Sequence, residues 1–164
     1  HYFVRDRCEP AVTGFRFDGI ETAKPNPKLM NLLAGGTLDA VIITPSNPFV
    51  SIDPILSVPG VRDALQALTA PIVAVSPIVG GQAIKGPAAK MMTELGLPSS
   101  ATEVAKHYQG LIDGFVIDET DAAQAAAISA LGIKVKVAQT VMRDLDDRKL
   151  LATACCDFAA TLQS

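Results

Sequence analysis

Four short apolar runs recur after residue 39, each followed by a stretch of helical spacing: Asp39–Thr44 (DAVIIT), Pro71–Ser76 (PIVAVS), Asp113–Asp118 (DGFVID) and Ile133–Ala138 (IKVKVA). The first three are nearly continuous in Val, Ile and Ala, as a strand of a parallel sheet covered on both faces requires; a half-exposed strand would alternate. Val61–Leu68, Pro87–Leu95, Thr102–Leu111 and Asp121–Leu131 fill the intervals with helical patterns, and Asp146–Leu162 closes the chain as a longer helix. Strand and helix in repeated order predict an α/β fold: a doubly wound, mostly parallel sheet between two helical layers. The punctuation agrees. Ser100 with Glu103 forms a capping-box pattern, Gly96 and Gly132 fit helix stops, and Pro87 suits a first helical position.

The first 38 residues follow another pattern. Tyr2–Arg5 and Val12–Phe17 suggest two strands able to pair with each other or with an edge, and Ala23–Pro27 leads into a short helix over Lys28–Ala34. With 164 residues, the chain is long enough for one α/β domain with a substantial core, made of this strand pair with its loop (1–38) and the repeated strand–helix units (39–164). No repeat, low-complexity tract or interdomain linker interrupts it.

Composition excludes several classes. At 49% hydrophobic and 19% charged residues the chain is not disordered, and a net charge of -3 without any Lys/Arg run interleaved with aromatics argues against nucleic acid. Every apolar run is broken well short of the roughly 20 residues of a membrane helix, so no membrane role is expected. The chain opens HYFVRDR, without an initiator Met or an apolar leader, which suggests a fragment, and its cysteines, which make no disulfide framework, fit a reducing cytoplasm. Cys8, Cys155 and Cys156 have no metal or redox spacing and are expected as plain buried thiols.

Ligands of open parallel sheets bind beyond the carboxyl ends of the strands, and two proline-bracketed loops fall there. In the first, Thr44–Leu56, Pro45, Pro48 and Pro54 stiffen the backbone, and Ser46, Asn47 and Ser51 offer hydroxyl and amide donors to phosphate or sugar oxygens. In the second, Ser76–Lys90, Gly80 and Gly81 permit positive φ, and Gly86-Pro87 opens a helix. Lys85 precedes that helix and Lys90 lies in its first turn, where the helix dipole favours acids by about 0.3–1 kcal/mol. Two cations there are accounted for by a bound phosphate. Each loop also has an explanation without a ligand, the first as a rigid turn with local Ser and Asn bonds and the second as a glycine turn with solvated lysines.

Asp118-Glu119-Thr120-Asp121 also stands at a strand end. A hard cation is one reading, but a helix cap at Asp118 or Thr120 is the favoured one. The same reading covers Asp144, Asp146 and Asp147, with Arg143 and Arg148 as partners. His1 and His107 have no carboxylate or Ser in a recognisable spacing, so a catalytic triad has no support.

The segments PSNPFVSIDPIL and AVSPIVGGQAIKGPAAKMM, followed by AKHYQGLIDGFVID, by Val141-Met142 and by the closing helix, resemble the 2-phospho-L-lactate transferase family in colinear order, as does the opening YFVRDRCEP to FRFDGIETAKPNP. The resemblance implies a Rossmann-like three-layer fold. It also implies transfer of a phospholactyl or phosphoenolpyruvyl group from a guanosine diphosphate conjugate to the hydroxyl of a deazaflavin precursor, with release of GMP and assistance from Mg2+, in the making of a deazaflavin coenzyme. Family members are about twice this length, with the metal-binding acids and a glycine-rich loop in an N-terminal half, so the chain corresponds to the C-terminal half and alone should release no GMP. The substrate-binding residues that carry over are Ser46, Asn47, Ser51, Gly80, Gly81, Lys85, Gly86 and Lys90. No metal ligand or catalytic residue is assigned, and a homodimer is left open. A nucleotide-sugar-binding regulatory protein of related fold is the alternative.

Overall fold

The two central strands of the sheet have every side chain buried, which forces helices onto both faces. A computed structural model describes residues 1–163. Four parallel strands, β1 (Val41–Ile43), β2 (Ile72–Val75), β5 (Gly114–Asp118) and β6 (Lys134–Ala138), lie in the order β1-β2-β5-β6. A separate antiparallel pair, β3 (Ile78–Val79) and β4 (Gln82–Ala83), follows β2. The α/β class and the parallel register are those predicted, and all four strands lie within their expected runs.

Side-chain alternation splits the core in two. Ile72, Ala74, Phe115 and Ile117 face a large cluster built with α1 (Pro27–Ala34), α3 (Val61–Gln66), α4 (Ala88–Glu94), α5 (Ala101–His107) and α6 (Ala125–Ser129). Val73, Val75 and Val116 point the other way, against Leu151, Cys155 and Ala159 of α7 (Leu145–Ala160). Burying a Val, Ile or Phe side chain stabilises by about 1.5–3 kcal/mol, so the fully buried β2 and β5 carry much of the folding free energy.

Local signals act as expected at most helix ends. Ser100 caps α5 by accepting from the Glu103 amide, and Asp144 caps α7 by accepting from the Asp147 amide; Asn26, unforeseen in this role, caps α1. Arg143 pairs with Asp147 at 3.0 Å, whereas Asp146 pairs with Lys149 at 3.3 Å. Four expectations are corrected, the last of them in the N-terminal arm. Pro87 sits at the N-cap of α4, one position before the first turn. The helix expected over 121–131 splits into a 3-10 turn, Glu119–Gln124, and α6. Of the three free thiols only Cys155 is buried, and Cys156 is exposed.

The strand pair over Tyr2–Arg5 and Val12–Phe17 does not form. Residues 2–5 are turns and 11–17 are irregular. Phe3 and Val4 are exposed, and a two-stranded ribbon with no buried face is marginal in water. The arm is held by α4 instead: the Val12 amide donates to Glu94 Oε2 at 3.0 Å and Lys90 Nζ donates to the Pro10 carbonyl at 3.0 Å. Among the described residues no helix is long and apolar enough to cross a membrane.

Gly114 shows how closely α7 is packed. A Cβ at this position would lie 2.7 Å from Phe158 Cε1 and 2.8 Å from Leu162 Cδ1. Gly114→Ala should therefore destabilise the chain by about 1–3 kcal/mol through overpacking, read as a lower urea midpoint at unchanged slope. An unchanged midpoint would mean that the end of α7 shifts at no cost.

Candidate functional site

The two loops picked out in the sequence meet in one cleft at the carboxyl ends of β1 and β2. It has a volume of about 130 Å3 and is lined by Pro45, Ser46 and Asn47 from the first loop, Ser76, Pro77, Val79, Ile84, Lys85 and Ala88 from the second, and Thr140, Val141 and Met142 after β6. Full small-molecule pockets span roughly 300–1,000 Å3, so this cleft has room for a diphosphate-sized part of a ligand. Lys85 is its one cationic lining residue among the described residues.

The first loop is folded rather than open. Residues Pro48–Ile52 make a π-helical turn that runs into α2 (Asp53–Leu56). Asn47 Oδ1 accepts from the amides of Phe49 and Val50 at 3.0 and 3.3 Å, and its Nδ2 lies 3.2 Å from Met91 Sδ. Asn47 therefore shapes the cleft wall with the polar groups expected to face a ligand. Ser46 lines the cleft, whereas Ser51 is exposed and lies outside the lining. The turn is braced from beneath by His107 Nε2, 2.8 Å from Asp53 Oδ1, with the Phe49 ring edge-on to the imidazole. Sequence gave no sign of this pairing, because fifty-four positions separate the partners.

The second loop contains a hairpin. Gly80 and Gly81 have φ of 57° and 78° and form the two-residue turn between β3 and β4, the conformation for which right-twisted hairpins select glycine. The Gly80 amide donates to Asp121 Oδ2 at 3.0 Å, and the Gly81 carbonyl accepts from Ser99 Oγ at 2.8 Å. Neither Gly80, Gly81 nor Gly86 lines the cleft.

The paired-lysine expectation divides. Lys85 reaches the cleft, but Lys90 is outside its lining and forms an ion pair with Glu94 while holding Pro10. The Glu94 hydrogen bond raises the Lys90 pKa, and the Lys90 bond lowers that of Glu94. The missing signal was Glu94 itself, four residues on and on the same helical face, the ordinary spacing of a helix ion pair.

Asp118 fixes the remaining wall. Its carboxylate, buried at the end of β5, accepts from the Thr120 amide at 3.0 Å and from the amide and hydroxyl of Thr140 at 2.9 and 3.0 Å. This is the cap read from sequence, with the addition of Thr140, whose part the sequence did not reveal. Burial alone would raise the Asp118 pKa, but the hydrogen bonds from Thr120 and Thr140 outweigh it and hold the carboxyl below its ordinary value.

The family model described as 2-phospho-L-lactate transferase CofD matches residues 1–157. The phosphoenolpyruvate transferase of Streptomyces griseus is 35% identical over 99% of this chain and 51% of its own length. The 2-phospho-L-lactate transferase of Methanosarcina barkeri is 40% identical over 92% of this chain and 48% of its own length. The phosphoenolpyruvate transferase of Streptomyces coelicolor is 38% identical over 96% of this chain and 49% of its own length. The chain thus spans about half the length of the curated relatives it matches.

A carboxyl whose pKa is depressed on folding stabilises the fold above its unfolded value, and the contribution is lost as pH falls through the folded value. Asp118→Asn turns an acceptor into a donor facing amides already oriented toward it, so it should cost about 1–3 kcal/mol at neutral pH. Urea titrations of both forms should show this gap narrowing below about pH 4, the ordinary carboxylate range. A gap independent of pH would assign the loss to shape instead of charge.

Proposed function

The chain belongs to the 2-phospho-L-lactate transferase family, and we propose that it supplies the donor-binding wall of an enzyme that moves a phospholactyl or phosphoenolpyruvyl group from a guanosine diphosphate conjugate to the hydroxyl of a deazaflavin precursor. The observation that carries this reading is the convergence of Ser46 and Lys85, from different loops, on one cleft beyond the strand ends. A hydroxyl and an ammonium around a space the size of a diphosphate match the demand of the reaction. The acceptor hydroxyl gives up its proton to solvent as its oxygen bonds to the phosphorus that bears the lactyl or enolpyruvyl group, and the bond from that phosphorus to the bridging oxygen breaks to release GMP. Negative charge grows on the bridging and non-bridging oxygens, where a fixed cation stabilises the transition state more than the ground state.

Within this proposal Lys85 balances that charge, Ser46 donates to a phosphate oxygen, and the Thr140–Met142 segment closes the wall. Gly80, Gly81 and Lys90 serve the wall's structure instead of contacting the donor, and Ser51 and Gly86 lie outside the lining of the cleft. Both transferred groups stay in the reading, since relatives named for each match the chain at similar identity.

Magnesium belongs to the proposed reaction, but the residues of this chain do not fit it. Asp118 is saturated by Thr120 and Thr140, Asp121 accepts from Gly80 and Gln124, and no group of three or more His, Cys, Asp or Glu able to hold a metal occurs among the described residues. The reading places the metal ligands in the part of the family length that this chain does not span.

GDP should raise the melting temperature of the chain more than a uridine-diphosphate sugar does, because a ligand bound only by the native state stabilises it. Lys85→Ala should weaken GDP binding at least tenfold, about 1.4 kcal/mol, in isothermal titration, while Lys90→Ala changes it less than twofold. Unaltered affinity in Lys85→Ala removes that residue from the site. Preference for the uridine ligand would favour a nucleotide-sugar-binding regulator.

A further inference from the structure

Residues 45–56 build one wall of the cleft, yet few directional bonds tie them to the rest of the chain. Their own hydrogen bonds are local: the Asn47 carbonyl accepts from the amides of Ser51 and Ile52 at 3.1 and 3.3 Å, and the Asp53 amide donates to the Pro48 carbonyl. Among the described residues two hydrogen bonds join this stretch to another element. One runs from Asn47 Nδ2 to Met91 Sδ, and a thioether is a weak acceptor. The other joins His107 to the Asp53 carboxylate, and a bond to an ionised acceptor is about twice as strong as a neutral one. Apolar contacts of Phe49 and Leu56 with the core add attraction without direction.

An ionised carboxylate accepts and does not donate, so Nε2 of His107 carries the proton of this bond. Both side chains are largely covered. The Phe49 ring meets the imidazole edge-on at 5.3 Å and stacks on Phe15 at 5.5 Å, so His107 holds two residues of the turn. His107 ends α5, and the other end of the same helix holds the opposite wall. Ser99 bonds the hairpin at Gly81. The amide and hydroxyl of Thr102 both donate to Gln124 Oε1 at 2.9 Å, and Gln124 Nε2 donates to Asp121, the acceptor of the Gly80 amide. Between these ends Ala101, Val104 and Ala105 are buried, which fixes the helix in the core. We infer, on the donor reading above, that His107 is a positioning residue of the cleft: through Asp53 it sets the turn next to Ser46 in place relative to the hairpin that leads to Lys85.

His107→Leu keeps apolar bulk against Phe49 and removes the donor. GDP binding should weaken roughly tenfold in isothermal titration, the cost of ordering the turn on binding. Exchange of the Phe49 and Val50 amides should quicken by roughly tenfold while that of Gly80 is unchanged, a local opening of the turn. His107→Gln, whose side-chain amide can donate to Asp53, should restore most of the affinity. A resolved Nε2 proton signal from His107 is expected in the unsubstituted chain, and its loss in Asp53→Ala. The inference is overturned by unchanged affinity in His107→Leu, by equal losses in the Leu and Gln variants, which would assign the effect to packing, or by equal quickening at Gly80. If His107→Leu does not fold, Asp53→Ala, which removes the acceptor, takes its place; if neither folds, absence of the Nε2 signal from the unsubstituted chain overturns the inference and its presence supports it. Failure of the unsubstituted chain to bind GDP would sink the donor reading by itself, and amide exchange would then decide whether His107 positions the turn.

Discussion

Burial of β2 and β5 on both faces is the constraint from which the rest of the structure follows. Once Val73, Val75 and Val116 point away from the main helical layer, the chain must return to cover them, and α7 does so. The return path crosses the carboxyl ends of the strands, which places Thr140, Val141 and Met142 beside the two earlier loops. The cleft is thus a by-product of covering the second face. Its third wall exists because α7 has to reach the far side of the sheet.

The polar groups around the cleft divide into those used for construction and those left over. Asn47, Ser76 and Asp118 all satisfy backbone amides, with Ser76 Oγ also donating to the Ile78 carbonyl at 2.8 Å. Buried polar groups left unpaired cost roughly 1–3 kcal/mol each, so their partners are structural necessities. Ser46 and Lys85 have no such partner among the described residues' hydrogen bonds. They are polar side chains of the cleft lining left without a structural hydrogen bond.

Much of the fold was legible because its signals are local or periodic. Apolar runs gave the parallel strands, and Ser100 and Asp144 cap the helices that their positions suggested. The position of the cleft followed from the rule that strand ends bind ligands. What sequence could not supply were contacts between distant residues and alternative uses of the same residue. Lys90 reads identically as a phosphate clamp or as the partner of Glu94, and its contacts with Glu94 and the N-terminal arm appear only in the packed chain. The Gly-Gly pair reads identically as a phosphate turn or a hairpin. The N-terminal arm failed as a strand pair because short β-branched runs carry strand propensity without naming a partner, and β-structure depends on its partner more than helix does.

The hairpin has a consequence for how the cleft meets its ligand. Its tip is tied to the 3-10 turn after β5 through Gly80 and Asp121, and to the stretch before α5 through Gly81 and Ser99. A glycine-rich segment pinned at its tip cannot behave as a swinging lid. The ordering entropy that a free loop would lose on each binding event, roughly 1–2 kcal/mol per residue fixed, is lost once, during folding. The hairpin beside the cleft is therefore set in place during folding, before any encounter.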